Sequence, residues 1–153
     1  MGDVIITQGG TGTGIDRMDD KTPSAWEEAY GYGLSTGVQT VSGGAGGAGF
    51  EWTPNFTPDG ATVRISYTPD ADSGSANDKV ASGANGPANH AWDLTLDLGS
   101  GSHGVEGLDL YAGFSQIDMD AVNAAHQKGD KEEWTAGANY AIGGLTLGYQ
   151  HSI

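Results

Sequence analysis

The chain has 153 residues, 27 of them Gly and none Cys, and a formal charge of -14. An ordinary soluble domain carries roughly 7% Gly, and each interior Gly costs a helix about 1 kcal/mol relative to Ala, so an architecture of long helices is excluded. The missing Cys removes disulfide frameworks and thiolate metal sites, and the six basic residues (Arg17, Lys21, Arg64, Lys79, Lys128 and Lys131) are too scattered to neutralise a nucleic-acid backbone.

In chain order, Asp3 to Gln8 (DVIITQ) reads as a strand. Gly9 to Gly47 is a long insertion rich in Gly, Thr and acid, with one helical turn expected at Trp26 to Tyr30 after Pro23 and Ser24. A structureless loop of that size fits a compact domain only if it is functional and packs inside something. Ala48 to Pro54 is a second strand, closed by a turn over Asn55 to Gly60. Ala61 to Pro69 (ATVRISYTP) sets Val63, Ile65 and Tyr67 against Thr62, Arg64 and Ser66. After a polar link, Asp70 to Asn89, the run His90 to Leu98 sets Trp92, Leu94, Leu96 and Leu98 against Asp93, Thr95 and Asp97. Gly99 to Glu106 is a modest turn. Gly107 to Ile117 then sets Leu108, Leu110, Ala112 and Phe114 against Asp109, Tyr111, Gly113 and Ser115. A second polar link, Asp118 to Glu132, leads to Glu133 to Ile142, where Trp134, Ala136, Ala138, Tyr140 and Ile142 oppose Thr135, Gly137, Asn139 and Ala141. Gly143-Gly144 is a two-residue hairpin signal, and Leu145, Leu147 and Tyr149 alternate with Thr146, Gly148 and Gln150. This is period-2 patterning in segments near the ~10 residues of barrel strands.

Short and long connections take turns along the chain. In an up-and-down meander that puts every short turn at one end and every long loop at the other, the asymmetry of bacterial outer-membrane barrels. No apolar run approaches the ~20 residues of a transmembrane helix, but alternating strands evade such scans. The N-terminus lacks a basic region followed by an apolar stretch, so an exported chain of this sequence would be a mature form or an internal piece.

Alternation alone does not say which medium meets which face. The polar side holds Asp, Thr, Ser, Gln and small Gly, which suits a hydrated lumen. The apolar side carries aromatics near strand ends: Trp92 and Trp134 just after long loops, Tyr67 and Tyr149 approaching ends. Such rings belong at headgroup level. The competing assignment caps an ordinary sandwich core with them.

Chemical motifs are few. Gly44 to Gly49 matches GxGxxG by letter, but a strand rather than a helix follows it. His90, His103, His126 and His151 stand far apart without metal-ligand spacing. Asp70, Asp72 and Asp78 with Ser73, Ser75 and Asn77 make an oxygen-rich loop that lacks the EF-hand spacing. Asn55-Phe56-Thr57 is a glycosylation sequon by letter only. No nucleophile stands beside a base, and the paired carboxylates (Asp93 with Asp97, Glu27 with Glu28) have no catalytic frame. No enzyme activity and no cofactor are expected.

Four stretches resemble the general diffusion porins of Gram-negative outer membranes. GDVIITQG (Gly2 to Gly9) resembles the strand leading into the porin constriction loop, and IDRMDDKTPSAWEEAY (Ile15 to Tyr30) resembles that acidic loop. Phe50 to Asp72 and Trp134 to Gln150 resemble successive porin hairpins. The resemblance implies an all-β antiparallel up-and-down meander over 1–153, part of a transmembrane β-barrel: 9–47 is the inward-folded constriction loop and 48–153 the strands. It implies passive passage of small hydrophilic solutes and cations in the outer membrane, contact with membrane lipid, and a homotrimer at full length. Carried over residue by residue, Asp16, Asp19, Asp20, Glu27 and Glu28 are constriction carboxylates. Arg64, Asp93, Asp97, Asp109 and Tyr111 line the pore.

The sequence departs from that pattern in three ways. Arg64 is the only basic residue that alternation places on the lumen face, so either the opposing basic wall lies outside this chain or the transverse field is weak. About seven strands are an odd count, whereas single-chain bacterial barrels are even and porins have about 16–18. The end, His151-Ser152-Ile153, lacks a C-terminal aromatic, so the chain reads as about half a porin subunit. The alternative is a soluble, secreted β-sandwich, an adhesin or carbohydrate-binding module. It would stack ligand on Trp26, Trp52, Trp92 or Trp134 and hold Ca²⁺ in the Asp70 loop.

Overall fold

The computed structural model describes residues 1–8, 13–18, 21–23, 48–69, 88–119 and 130–153. The helical turn expected at Trp26 to Tyr30 and the oxygen-rich Asp70 loop lie outside them.

Seven strands form one antiparallel sheet in strict sequence order. They are β1 (Asp3–Gln8), β2 (Ala48–Thr53), β3 (Ala61–Thr68), β4 (Ala88–Leu98), β5 (Leu108–Met119), β6 (Lys131–Ile142) and β7 (Leu145–Ser152). The sheet is not closed: β1 and β7 are its two edges. The helical content among the described residues is a 3-10 turn, Gly14–Met18, and one α-turn, Ser100–His103. The all-β meander expected from alternation is therefore present.

The register keeps the two chemical faces apart. Ile65 pairs Leu94, Leu94 pairs Phe114 and Phe114 pairs Trp134, so apolar residues share one surface across four strands. On the other surface Glu51 pairs Ser66, Ser66 pairs Asp93, Asp93 pairs Ser115 and Ser115 pairs Glu133. A slip of one residue would exchange the faces wholesale. The β6–β7 hairpin closes with Gly143 at φ 58, a backbone region where a side chain would strain the turn.

β5 and β6 are longer than hydrophobic periodicity indicates. Their ladder continues through Gln116↔Glu132 and Ile117↔Lys131, where Gln and Glu stand at apolar-phase positions. Backbone pairing carries the strands past the end of the apolar pattern.

Burial is inverted relative to a soluble sheet. The polar face is covered: Glu51, Ser66, Asp93, Thr95 and Ser115 are each at most 1% exposed. The apolar face is open: Val4, Ile6, Trp134, Ile142, Leu145, Leu147 and Tyr149 are each 55–70% exposed. The small apolar cluster, Ile15, Met18 and Tyr111, lies on the polar side.

Candidate functional site

What covers the polar face is the chain that follows β1. The described pieces of this arm, 13–18 and 21–23, are anchored at intervals across the sheet. The Gly14 amide donates to Glu51 Oε2 at 2.9 Å on β2, and the Ile15 amide donates to Asp93 Oδ2 at 2.7 Å on β4. Ile15 and Met18 then press against β5 at Gly113, where an added Cβ would sit 2.9 Å from Ile15 Cγ1. Gln150 Nε2 on β7 donates to the Met18 carbonyl at 3.0 Å, and Asn139 Nδ2 on β6 donates to the Lys21 carbonyl at 2.7 Å. Thr22 and Pro23 lie against Gly148 on β7.

From β2 to β7 is five inter-strand steps, about 24 Å. The described anchors run from Gly14 on β2 to Pro23 on β7. The arm therefore crosses the strands nearly at right angles, and Gly makes the crossing possible. At φ 61, Gly14 packs so closely on Asp93 that no side chain fits.

Two cations of the arm meet carboxylates of the sheet. Arg17 lies with Nε 3.0 Å from both Glu51 oxygens and Nη2 2.7 Å from Oε1, and Ser66 Oγ adds a bond to Oε2 at 3.2 Å. Hydrogen bonding to Glu51 holds the Arg17 guanidinium above its ordinary pKa range. Lys21 pairs with Asp97, which also accepts from Arg64 Nη1. Lys21 Nζ stands 5.3 Å from the centre of the Tyr111 ring, a cation–π arrangement. Tyr111 lies over Gly137 and donates to Gln150 Oε1 at 2.9 Å. Beside the arm a polar cleft of about 230 Å³ opens between Lys21, Asp97, Asp109 and Asn139.

The structure brings Arg64, Asp93, Asp97, Asp109 and Tyr111 onto one face, as alternation requires. Of the acidic-loop residues, Asp16 is half-buried in the 3-10 turn beside Arg17. Asp19, Asp20, Glu27 and Glu28 lie outside the described residues. Alternation placed Ser115 and Gln150 on the polar face without a role, and the same period 2 extends to Glu51 and Glu133, which the sequence did not single out; nor did it single out Arg17 and Lys21. The docking of Arg17 on Glu51, 34 positions away, has no local signature.

On the apolar face the aromatics gather towards the long connections. Phe50, Tyr67 and Trp92 are in register. One step inward, Phe114 packs between Trp92 and Trp134 with ring centres 5.0 and 4.6 Å apart. Polar residues follow immediately: Trp92 Nε1 donates to Gln116, which donates to Asp130, and His90 faces Asp118 at 3.5 Å. No family model matches the chain, and the searches of curated proteins and of solved structures return no match either.

Proposed function

We propose that the chain is a sector of an outer-membrane β-barrel of the general diffusion porin type. Its polar face lines a water-filled passage for small hydrophilic solutes, and the arm narrows that passage. The observation that carries this reading is the inverted burial, with polar residues covered and large apolar residues open. Exposing contiguous apolar surface to water is unfavourable by roughly 25 cal/mol per Å², and soluble monomers rarely expose more than a few hundred Å² in one patch. Acyl chains remove that cost.

Strand dimensions support the same medium. β4, β5 and β6 have 11, 12 and 12 residues, enough for the roughly 9–11 residues of a tilted membrane strand. The aromatic rows of Phe50, Tyr67, Trp92, Phe114 and Trp134, with Gln116, Glu132 and Asp118 beyond them, have the order of an interfacial girdle. In lipid the unpaired backbone groups of β1 and β7 cost several kcal/mol each, so both edges need further strands, an odd number for an even total.

The inner face then supplies the selectivity. Glu51, Asp93, Asp97, Asp109 and Glu133 outnumber Arg64 on the sheet itself, and rings of carboxylate favour cations. Comparing the chain in plain buffer with the chain in phospholipid vesicles tests the medium. The porin reading expects aggregation in buffer and protease-protected strands in vesicles. A monomer that unfolds cooperatively in plain buffer contradicts it.

A further inference from the structure

We infer that a groove on the apolar face, beside His151, binds a free long-chain fatty acid, with the acyl chain along the groove and the carboxylate on the imidazole. The sheet register builds the groove. Leu96, Ala112, Ala136 and His151 are consecutive members of one transverse row. The neighbouring row, towards the long connections, is bulky: Leu94 pairs Phe114, Phe114 pairs Trp134, and Trp134 exchanges backbone hydrogen bonds with Ile153. Beside that row the small side chains of Ala112 and Ala136 leave a trough of about 440 Å³. Phe114 and Trp134, with ring centres 4.6 Å apart, are its firm wall. Leu96 stands at one end and His151 at the other.

Shape and size set the class of occupant. From β4 to β7 is three inter-strand steps, about 14 Å, a length that suits an extended chain. At about 30 Å³ for each water-sized group, the volume takes on the order of a dozen methylenes. One acyl chain fits, and the two of a phospholipid do not.

His151 sets the head group. It is the one ionisable side chain among the groove's described residues, at a position where alternation calls for an apolar one. Its imidazole has no hydrogen bond, ion pair or ring contact among the described residues. An ionisable group on a surface of this kind is costly unless it has a partner. In either protonation state imidazole has an N–H to donate, and a carboxylate accepts it. The sheet carboxylates Glu51, Asp93, Asp97 and Glu133 belong to the opposite face, so none of them competes. Trp134, one row away, marks the level at which amphipathic rings meet headgroups, the depth at which a fatty acid keeps its carboxylate. The site does not rest on the porin reading, because the groove and His151 belong to the apolar face whether lipid or water lies beyond it.

Fluorescence of Trp134 in the full chain, with Trp26, Trp52 and Trp92 replaced by Phe, tests the site. The probe is dodecanoate brominated along its chain, added to the protein in phospholipid vesicles. The expected result is quenching that saturates at one dodecanoate per chain and that plain dodecanoate reverses. His151→Leu should weaken binding by about tenfold or more, the loss of one hydrogen bond to a charged group, and dodecanol should compete with the wild-type chain as poorly. Ala136→Leu should fill the trough and abolish saturable quenching with strand content, read by far-UV circular dichroism, unchanged. Ile142→Ala, on the same face outside the groove, should leave binding intact. Brominated phospholipid, measured in parallel, reports the medium separately: where it fails to quench, the titration is repeated in plain buffer, and saturable quenching by dodecanoate is still expected. Quenching that only grows in proportion to the probe, or that survives His151→Leu or Ala136→Leu undiminished, overturns the site.

Discussion

Arg17 grips Glu51 through both carboxylate oxygens, so a cation of the arm meets an acid of the sheet. The loop was expected to bring acid to a basic wall. In the described residues it brings Arg17 and Lys21 to a wall of carboxylates, Glu51 and Asp97. Each cation of the arm is thereby paired with a carboxylate of the sheet. The question of where the basic partners lie is thus partly answered from within the chain: the arm carries them.

Losing the Glu51 carboxylate should free the arm. Hydrogen bonds to charged groups contribute about 1.5–3 kcal/mol each, so Glu51→Ala should raise local opening by about tenfold or more. Trypsin reads this directly, because Arg17–Met18 is a cleavable bond only when the arm lifts. Unchanged cleavage kinetics would mean that the pair does not hold it.

Gly113 should tolerate no side chain while the arm is docked. Ile15 Cγ1 and Met18 Cγ would lie 2.9 and 3.1 Å from its Cβ, and overpacking of this kind costs about 1–3 kcal/mol. Gly113→Val should therefore raise the same tryptic cleavage while the strand content, read by far-UV circular dichroism, stays near wild type.

Charge on the outer face separates lipid from water as the medium. Leu94, in the middle of β4, is 42% exposed. In a bilayer Leu94→Arg should cost about 2–4 kcal/mol near the midplane, lowering the folded fraction in vesicles by at least tenfold. For a soluble sheet the same change at an exposed position falls within about 0.5 kcal/mol. Urea titration in vesicles measures the difference.

In the intact pore, neutralising Asp16, Asp19, Asp20, Glu27 and Glu28 together should reduce the preference for cations, read as a smaller reversal potential across a KCl gradient. An anion-selective pore before any substitution would remove the role assigned to these residues.

The sheet was legible because period-2 alternation is set by local chemistry: Leu94, Leu96 and Leu98 against Asp93, Thr95 and Asp97 define a strand and its faces without reference to any neighbour. The ends of β5 and β6 were not legible, since Gln116 and Glu132 pair through backbone while interrupting the apolar phase. The arm was read as an acidic loop that folds inward. Its seat depends on contacts no local pattern encodes: the room left by Gly113, the Gly14 approach to Asp93, and Gln150 reaching the Met18 carbonyl across 132 positions. Ile15 and Met18 give no warning either, because apolar residues in a Gly-rich loop do not announce that they will lie on a polar face.

Quenching of a single tryptophan by lipids brominated along their acyl chains tests the central claim most directly. With Trp26, Trp52 and Trp92 replaced by Phe, Trp134 remains on the apolar face at 55% exposure. An indole that touches acyl chains loses most of its fluorescence in brominated vesicles and keeps it in ordinary ones. Equal fluorescence in both, with free access to aqueous iodide, would put water against Trp134 and contradict the account.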